Sequence, residues 1–142
     1  ALPAGAAAGD ELGGLRAGAL EQIATALAAF GPFEALVGVA GTITTLAAIE
    51  LGGYDRDRVH RHVLARPTVE ALLARLAAMP VARRREVPGL EPARAGVIVA
   101  GAAIAAAVLE ASGRDEIVVG ERDLLDGVAL AAWGPRPDVF RL

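Results

Sequence analysis

Residues 37–46 of the chain are VGVAGTITTL. The apolar residues up to Val39 predict the end of a buried strand, and the spacing from Ile43 onward is compatible with a helix. Between them, Gly41 and Thr42 predict a tight strand-to-helix turn. Such a turn directs several backbone N–H groups at one point, with the positive end of the helix dipole behind them. The stretch therefore predicts an α/β arrangement with an anion-binding loop, although turns of this kind recur throughout α/β proteins.

Elements on both sides of this turn extend the pattern. A helix is predicted from residue 10 to residue 30, and a second amphipathic helix starts at Pro67. Two further strands are predicted, one at 96–100, apolar on both faces, and one at 116–119, and each leads into a helix. The buried stripe of the first helix consists of Leu20, Ile23, Ala24 and Leu27, and the inner side of the Pro67 helix of Leu72, Leu73, Leu76 and Met79.

The order of these elements predicts an α/β class with a small, mostly parallel sheet flanked by helices. Three strands make a thin sheet, and nearly continuous apolar strands need neighbours on both sides. The chain therefore looks like part of a larger unit, with a sheet edge exposed near residues 34–39. We expect a homo-oligomer that forms through that edge or through the last helix, around Leu124, Leu125 and Trp133.

The composition restricts the chemistry. The 142 residues suffice for one core, and an apolar content of 54% excludes disorder. The chain has no cysteine and only two histidines, which excludes disulfides, thiolate chemistry and a histidine-based zinc site. All 14 basic residues are arginines, which excludes the lysine of a Walker loop or of a Schiff base. The net charge of −3 argues against nucleic-acid binding.

No segment is predicted to span a membrane. The most apolar run, residues 95–109, is shorter than the roughly 18 residues that a spanning helix needs. The N-terminus has no basic region of the kind that opens a signal peptide. The sequence therefore predicts a soluble cytoplasmic protein.

Two clusters of basic residues are weak candidates for ligand binding. His60 and His62 would share a face only on a strand, and the neighbouring arginines would repel a metal ion, so a solvated or anion-facing loop is favoured. The arginines at 83–85 are consecutive and would fan out by about 100° each on a helix. At most one of them could reach a phosphate.

Arg94 and Gly101 are stronger candidates because they flank the strand predicted at 96–100. Arg94 could form a bidentate contact with a phosphate or carboxylate. An ion pair with Glu91 or Asp126 is the structural alternative. Gly101 is predicted to lie at the carboxyl edge of the sheet together with Gly41, where α/β proteins bind ligands. Tight packing of the following helix explains Gly101 equally well.

No complete active site is visible in the sequence. The acidic residues of the C-terminal part follow the preferences of turns and helix N-termini. None of them pairs with a nucleophile or a base at a defensible spacing. We therefore assign no catalytic residue and no metal ligand to this chain.

Four segments carry a resemblance to a known family. They are GVAGTITTL at 38–46, VH at 59–60, PGLEPARAGVIVAG at 88–101 and ERDLLDG at 121–127. In this order they resemble the exopolyphosphatase and guanosine pentaphosphate phosphohydrolase family. The resemblance implies the two-domain RNase H-like fold shared with actin and the sugar kinases. It implies that residues 1–134 are most of the second domain, incomplete at its N-terminal side, and that 135–142 are a tail.

The resemblance also implies an activity. A family member is a hydrolase that removes terminal phosphate from inorganic polyphosphate, or the 5′ phosphate from guanosine pentaphosphate, with Mg²⁺. By the same resemblance, Ala40, Gly41 and Thr42 form the second phosphate-binding loop, Arg94 is a candidate substrate contact, and Gly101 is the glycine of the next turn. Ala40 stands where the family often has a glycine.

The remaining catalytic parts are expected elsewhere. The family's first phosphate loop, catalytic glutamate and metal-binding acids would lie upstream of this chain. Mg²⁺ would then be bound mainly by segments that the chain lacks, and the chain alone would be inactive. Both polyphosphate and guanosine pentaphosphate stay open as substrates.

Two other functions fit the sequence to different degrees. A non-catalytic module that senses phosphate or a nucleotide stays open as the alternative. A Rossmann-type nucleotide domain is disfavoured, because residues 38–41 lack the G-x-G-x-x-G spacing and no acid closes a following strand.

Overall fold

A computed structural model describes residues 8–122 and 124–133 of the chain. The predicted tail at 135–142 lies outside these residues. The helices and strands are α1 (Ala8–Phe30), β1 (Val37–Val39), α2 (Ala40–Glu50), α3 (Arg56–Val59), β2 (Val63–Ala65), α4 (Arg66–Ala77), α5 (Val81–Arg84), α6 (Ile98–Ser112), β3 (Glu116–Gly120) and α7 (Leu124–Trp133), with a 3-10 helix at Pro92–Arg94 before α6.

The described strands form a mixed sheet in the order β1-β3-β2. β1 runs parallel to β3, with Val39 opposite Gly120. β2 runs antiparallel to β3, with Leu64 opposite Ile117. The α/β class and the small sheet are confirmed, but the sheet has one parallel and one antiparallel pair instead of being mostly parallel. The first strand is also shorter than the predicted edge segment at 34–39.

The strand predicted at 96–100 is wrong. Residues 95–97 form a turn, and the segment then enters α6 at Ile98. A short apolar run does not distinguish a buried strand from a buried helix, and this run continues through an alanine-rich stretch that favours helix. The strand that was missed, β2, lies within the charged stretch between α3 and α4, where three residues give too short a pattern to detect.

The core is built around α6, which contacts α1, α2 and α4. Ala102, Ala103 and Ala106 of α6 are fully buried, and their small side chains allow neighbouring helices to approach closely. The inner side predicted for the Pro67 helix is confirmed in α4. Its members Leu72, Leu73 and Leu76 are buried, and Met79, just beyond the helix, packs against the core.

The buried stripe predicted for α1 is wrong. Leu20, Ile23 and Leu27 are only partly buried, and Ala24 is exposed. The residues of α1 that pack against the core lie nearer its N-terminus, at Leu12 and Leu15.

An ion cluster holds this N-terminal half of α1 on the core. Arg16 donates to Glu70 of α4 at 2.7 Å and to Glu110 of α6 at 2.7 Å. These hydrogen bonds raise the pKa of the Arg16 guanidinium above its ordinary value. The second half of α1 extends beyond this contact.

Two observations bear on the surface. Among the described helices, none has both the length and the apolar character needed to cross a membrane. Within the described residues β1 is an edge strand, as predicted, and its Val37 and Val39 are 51% and 44% exposed. Of the last-helix residues named for self-association, Leu125 is exposed, whereas the side chains of Leu124 and Trp133 lie outside the described part.

Candidate functional site

The predicted loop is the N-terminus of α2. Ala40, Gly41 and Thr42 are the first three residues of the helix, and Val39 precedes them as N-cap in an extended conformation. The first N–H groups of a helix have no carbonyl partner within it, and the side chain of Val39 supplies no capping oxygen. Donors and the positive end of the helix dipole therefore meet at the carboxyl end of β1, as an anion site requires.

Ala40 adopts a left-handed backbone conformation. Its φ is +66°, a region that favours glycine. A side chain at this position is therefore strained. The sharp reversal between β1 and α2 occurs at this residue.

Arg94 lies directly against this loop. Its guanidinium occupies the space beside Gly41 so closely that a Cβ on Gly41 would overlap it. The Nε of Arg94 also donates to Oε2 of Glu91 at 3.0 Å, and the arginine side chain is 42% exposed. Arg94 therefore forms the ion pair with Glu91, the structural alternative, and lies at the loop at the same time. The ion pair orients the guanidinium there.

The segment that carries Arg94 is docked on α2 by a glycine. Gly89 has a φ of +85°, and a Cβ there would overlap the carbonyl of Ala48 in α2. Leu90 and Ala95, on either side of the 3-10 helix, are buried. The arginine is thus presented by a link that is fixed at both ends.

A cavity of about 490 Å³ opens beside Arg94. Its wall includes Tyr54, whose hydroxyl donates to Oε2 of Glu121 at 3.0 Å. Glu121 directly follows Gly120, the last residue of β3, and Gly120 lies opposite Val39 at the end of β1. The hydrogen bond therefore links Tyr54 to the carboxyl ends of these two strands, where the loop begins. The full lining is Thr44, Thr45, Tyr54, Gly89, Leu90, Glu91 and Arg94.

Sequence reasoning missed Tyr54 and Glu121. The contact joins residues 67 positions apart, so no local pattern announces it. The only available signal was that Tyr54 is the single tyrosine of the chain, following a pair of glycines.

Gly101 has a different place from the predicted one. It lies inside α6 and not at a strand-to-helix turn, because the strand expected before it does not exist. A Cβ on Gly101 would lie 2.6 Å from the Oγ1 of Thr42. The structure agrees with the alternative explanation for Gly101, which is close packing of its helix. At this position α6 packs against Thr42 in the first turn of α2.

The remaining basic candidates have structural partners. His62 Nε2 lies 2.7 Å from Oε2 of Glu50, and Nδ1 of His60 accepts from the backbone N–H of Glu121 at 3.3 Å. Among the described residues, no group of three or more histidine or acidic side chains could hold a metal ion. The described residues therefore do not by themselves fit an Mg²⁺ site.

The arginines at 83–85 do not form an anion patch. Arg84 is buried and donates to the carbonyls of Leu76 at 2.7 Å and Ala95 at 3.3 Å. Its burial lowers the pKa of the guanidinium from its ordinary value. Arg83 pairs with Glu86 on the surface at 2.9 Å.

Comparison with known proteins gives a family match over most of the chain. Residues 11–133 match the model described as the Ppx/GppA phosphatase family. Exopolyphosphatase 2 of Mycobacterium tuberculosis is 35% identical over 104 residues, which are 69% of this chain and 33% of that protein. A bifunctional 3-dehydroquinate synthase/phosphatase of Fusobacterium nucleatum is 33% identical over 97 residues, 67% of this chain and 14% of that protein. The chain thus spans a third or less of the length of these relatives.

Solved structures with the same fold agree. The Aquifex aeolicus member of the Ppx/GppA family superposes with a TM-score of 0.80 at 28% identity, over 87% of this chain and 40% of that chain. An exopolyphosphatase-like protein gives a TM-score of 0.76 at 29% identity, over 88% of this chain and 43% of that chain. These structures confirm the predicted RNase H-like α/β fold.

Proposed function

The chain belongs to the Ppx/GppA phosphatase family, and on that premise we propose that it is the phosphate-binding part of a hydrolase of phosphoanhydride bonds. The proposed reaction releases terminal phosphate from inorganic polyphosphate, the 5′ phosphate from guanosine pentaphosphate, or both. Within that enzyme, residues 1–134 correspond to most of the second domain of the family's two-domain fold. The relative from Mycobacterium tuberculosis, named an exopolyphosphatase, supports the polyphosphate substrate.

One observation carries the proposal: the guanidinium of Arg94 lies against Gly41 at the N-terminus of α2. A phosphate placed there accepts hydrogen bonds from the first amides of the helix and from the planar, permanently charged guanidinium of Arg94. Because Gly41 has no side chain, the phosphate oxygens and the arginine can both approach the backbone.

This arrangement matches what phosphoryl transfer needs from a binding loop. The transition state spreads charge over the phosphoryl oxygens, and catalysis depends mainly on positioning and charge neutralisation. Fixed backbone dipoles and one oriented arginine supply both without moving during the reaction. Glu91 holds the arginine in place, and so it acts here as a positioning residue.

We assign water activation and Mg²⁺ binding to other segments of the enzyme. Glu91 is the acidic residue of the described cavity wall, and it is engaged with Arg94. When bound, Mg²⁺ would neutralise phosphate charge next to the loop. Residues 1–142 alone should therefore bind phosphate chains without releasing phosphate from them.

Calorimetric titration of tripolyphosphate tests the loop. Arg94→Ala should weaken binding by about tenfold or more, because a hydrogen bond to a charged group contributes about 1.5–3 kcal/mol. Arg83→Ala is the matched control, since Arg83 also pairs with a glutamate three residues away but lines a different cavity from Arg94. Equal affinities of the two variants would contradict the assignment.

A second matched pair tests the glycine. Gly41→Ala places a methyl group on the Arg94 guanidinium and should weaken binding, whereas a Cβ on Gly96 meets open space, so Gly96→Ala should not. Phosphate release is then assayed with Mg²⁺ and polyphosphate. Rapid release by residues 1–142 would overturn their assignment as a binding part, and a full-length enzyme that binds polyphosphate without releasing phosphate would favour the sensing module.

A further inference from the structure

We infer that Glu121 is a specificity-determining residue, whose carboxylate makes the phosphate site favour short phosphate chains over long ones. The inference rests on the proposed function and adds which chain lengths the same site accepts. Glu121 is not assigned to binding of the terminal phosphate. It acts through its charge on the phosphates that follow.

The cavity beside Arg94 is where those phosphates would lie. Arg94 belongs both to the cavity wall and to the surroundings of Gly41 at the N-terminus of α2. A chain that is held there by its terminal phosphate would therefore extend its next units into the cavity. The volume of about 490 Å³ leaves room for them.

The cavity wall has no second cation to neutralise these units. Within the described lining, Arg94 is the cation, and its Nε already donates to Glu91 at 3.0 Å. The other described lining residues are neutral, namely Thr44, Thr45, Tyr54, Gly89 and Leu90. The first phosphate therefore uses the one guanidinium of this wall.

The carboxylate of Glu121 is held in place next to the wall. Its Oε2 accepts from the hydroxyl of Tyr54 at 3.0 Å, and its backbone N–H donates to Nδ1 of His60 at 3.3 Å. Among the described residues, its Oε1 has no hydrogen-bond partner, and no arginine forms a salt bridge with it. A fixed carboxylate without a counter-ion repels a polyanion, because it cannot turn away as the chain enters.

The other charges near Tyr54 offset each other. The pKa of Tyr54 is raised chiefly by the hydrogen bond to Glu121, while the charge of Arg56 lowers it and that of Asp55 raises it. With Glu91 and Arg94 also paired, Glu121 is left as the charge that a longer chain meets.

The test compares linear tetrapolyphosphate with pyrophosphate, titrated calorimetrically against wild type, Glu121→Gln and Glu116→Gln. Wild type should bind tetrapolyphosphate no more tightly than pyrophosphate. Glu121→Gln keeps an acceptor for Tyr54 but removes the charge, and it should raise the ratio of tetrapolyphosphate to pyrophosphate affinity by about threefold to fivefold. Glu116→Gln removes the same charge at the other end of β3 and should leave the ratio unchanged.

Ionic strength separates a charge effect from a change of structure. In wild type the ratio should rise with added salt, because salt screens the repulsion of the additional phosphates. The difference between wild type and Glu121→Gln should shrink accordingly. The wild-type series decides the question even if Glu121→Gln fails to fold, which thermal denaturation shows.

The outcomes distinguish this inference from the function on which it rests. A wild-type ratio that lies well above one and falls with salt, or a folded Glu121→Gln variant with an unchanged ratio, would overturn the role of Glu121 and leave the phosphate loop intact. If Gly41→Ala leaves pyrophosphate binding unchanged, the phosphate loop itself is wrong.

Discussion

Thr42 of α2 lies against Gly101 of α6 so closely that a Cβ on Gly101 would come within 2.6 Å of Thr42 Oγ1 and 2.7 Å of Thr42 Cγ2. α6 is the central helix of the core, and this contact packs the start of α2 against α6. The position of the start of α2 therefore depends on the absence of a side chain at Gly101 of α6.

Filling this contact should destabilise the protein. Gly101→Val is expected to lower the free energy of unfolding by about 1–3 kcal/mol, the usual cost of an overpacked core. Adding Thr42→Ala should recover part of the loss, because it removes the atoms that the new side chain meets. Urea denaturation of the two single variants and the double variant measures the coupling. Gly127→Ala is the control, since a Cβ there meets open space; strictly additive losses would contradict the contact.

Relief of backbone strain at the loop should have the opposite effect. Ala40 has a φ of +66°, and Ala40→Gly should raise the free energy of unfolding by about 1 kcal/mol, since a side chain in the left-handed region costs about that much. Ala74→Gly, at an exposed position inside α4, should instead lower it by about 0.5–1 kcal/mol. Thermal denaturation compares the two. A loss of stability in both variants would show that Ala40 is not strained.

The tyrosine of the cavity gives a direct readout of its own contact. The pKa of Tyr54 is raised above 10.0, chiefly because its hydroxyl donates to Glu121. The contact therefore contributes stability in full below pH 10 and loses it as the pH rises through the pKa of the folded state. Glu121→Ala should lower the pKa of Tyr54 towards 10.0.

Absorbance of the phenolate measures this pKa without interference, because the chain has one tyrosine. Glu116→Ala is the matched control, an exposed acid at the other end of β3. A Tyr54 pKa that responds equally to the two substitutions, or to neither, would show that the hydrogen bond to Glu121 is not formed in solution.

Sequence reasoning found the junction between β1 and α2 because its signals are local. A strand end, a glycine and a helix start are adjacent at residues 37–46, and β1 and α2 form there as predicted. Arg94 was found as a candidate through its place in a Pro-x-Arg link. Its position beside Gly41 could not be read from the sequence, because it depends on how the link docks on α2.

The failures have a common physical cause, which is that burial is decided by tertiary packing. Residues 96–100 are apolar on every side, which is compatible with a buried strand and with a buried helix. The alanines that follow favour the helix, and the segment leads into α6. The stripe of α1 has the right period, but only the N-terminal half of that helix meets the core. Tyr54 and Glu121 are 67 positions apart in the sequence and come together only in the folded chain.

The free edge of β1 makes self-association a prediction that can be tested by one substitution. Within the described residues β1 pairs only with β3, so the N–H and C=O groups on its other side face away from the sheet. Val37 and Val39 of this strand also expose apolar surface. Val37→Lys should reduce the average mass measured by light scattering at high concentration, because a charge on an edge strand opposes pairing with another copy. Val63→Lys is the control on β2, the other edge strand, where Arg61 and Arg66 flank a three-residue strand and already oppose such pairing. A wild-type protein that stays monomeric at high concentration, or equal effects of the two lysines, would show that the β1 edge does not hold copies of the chain together.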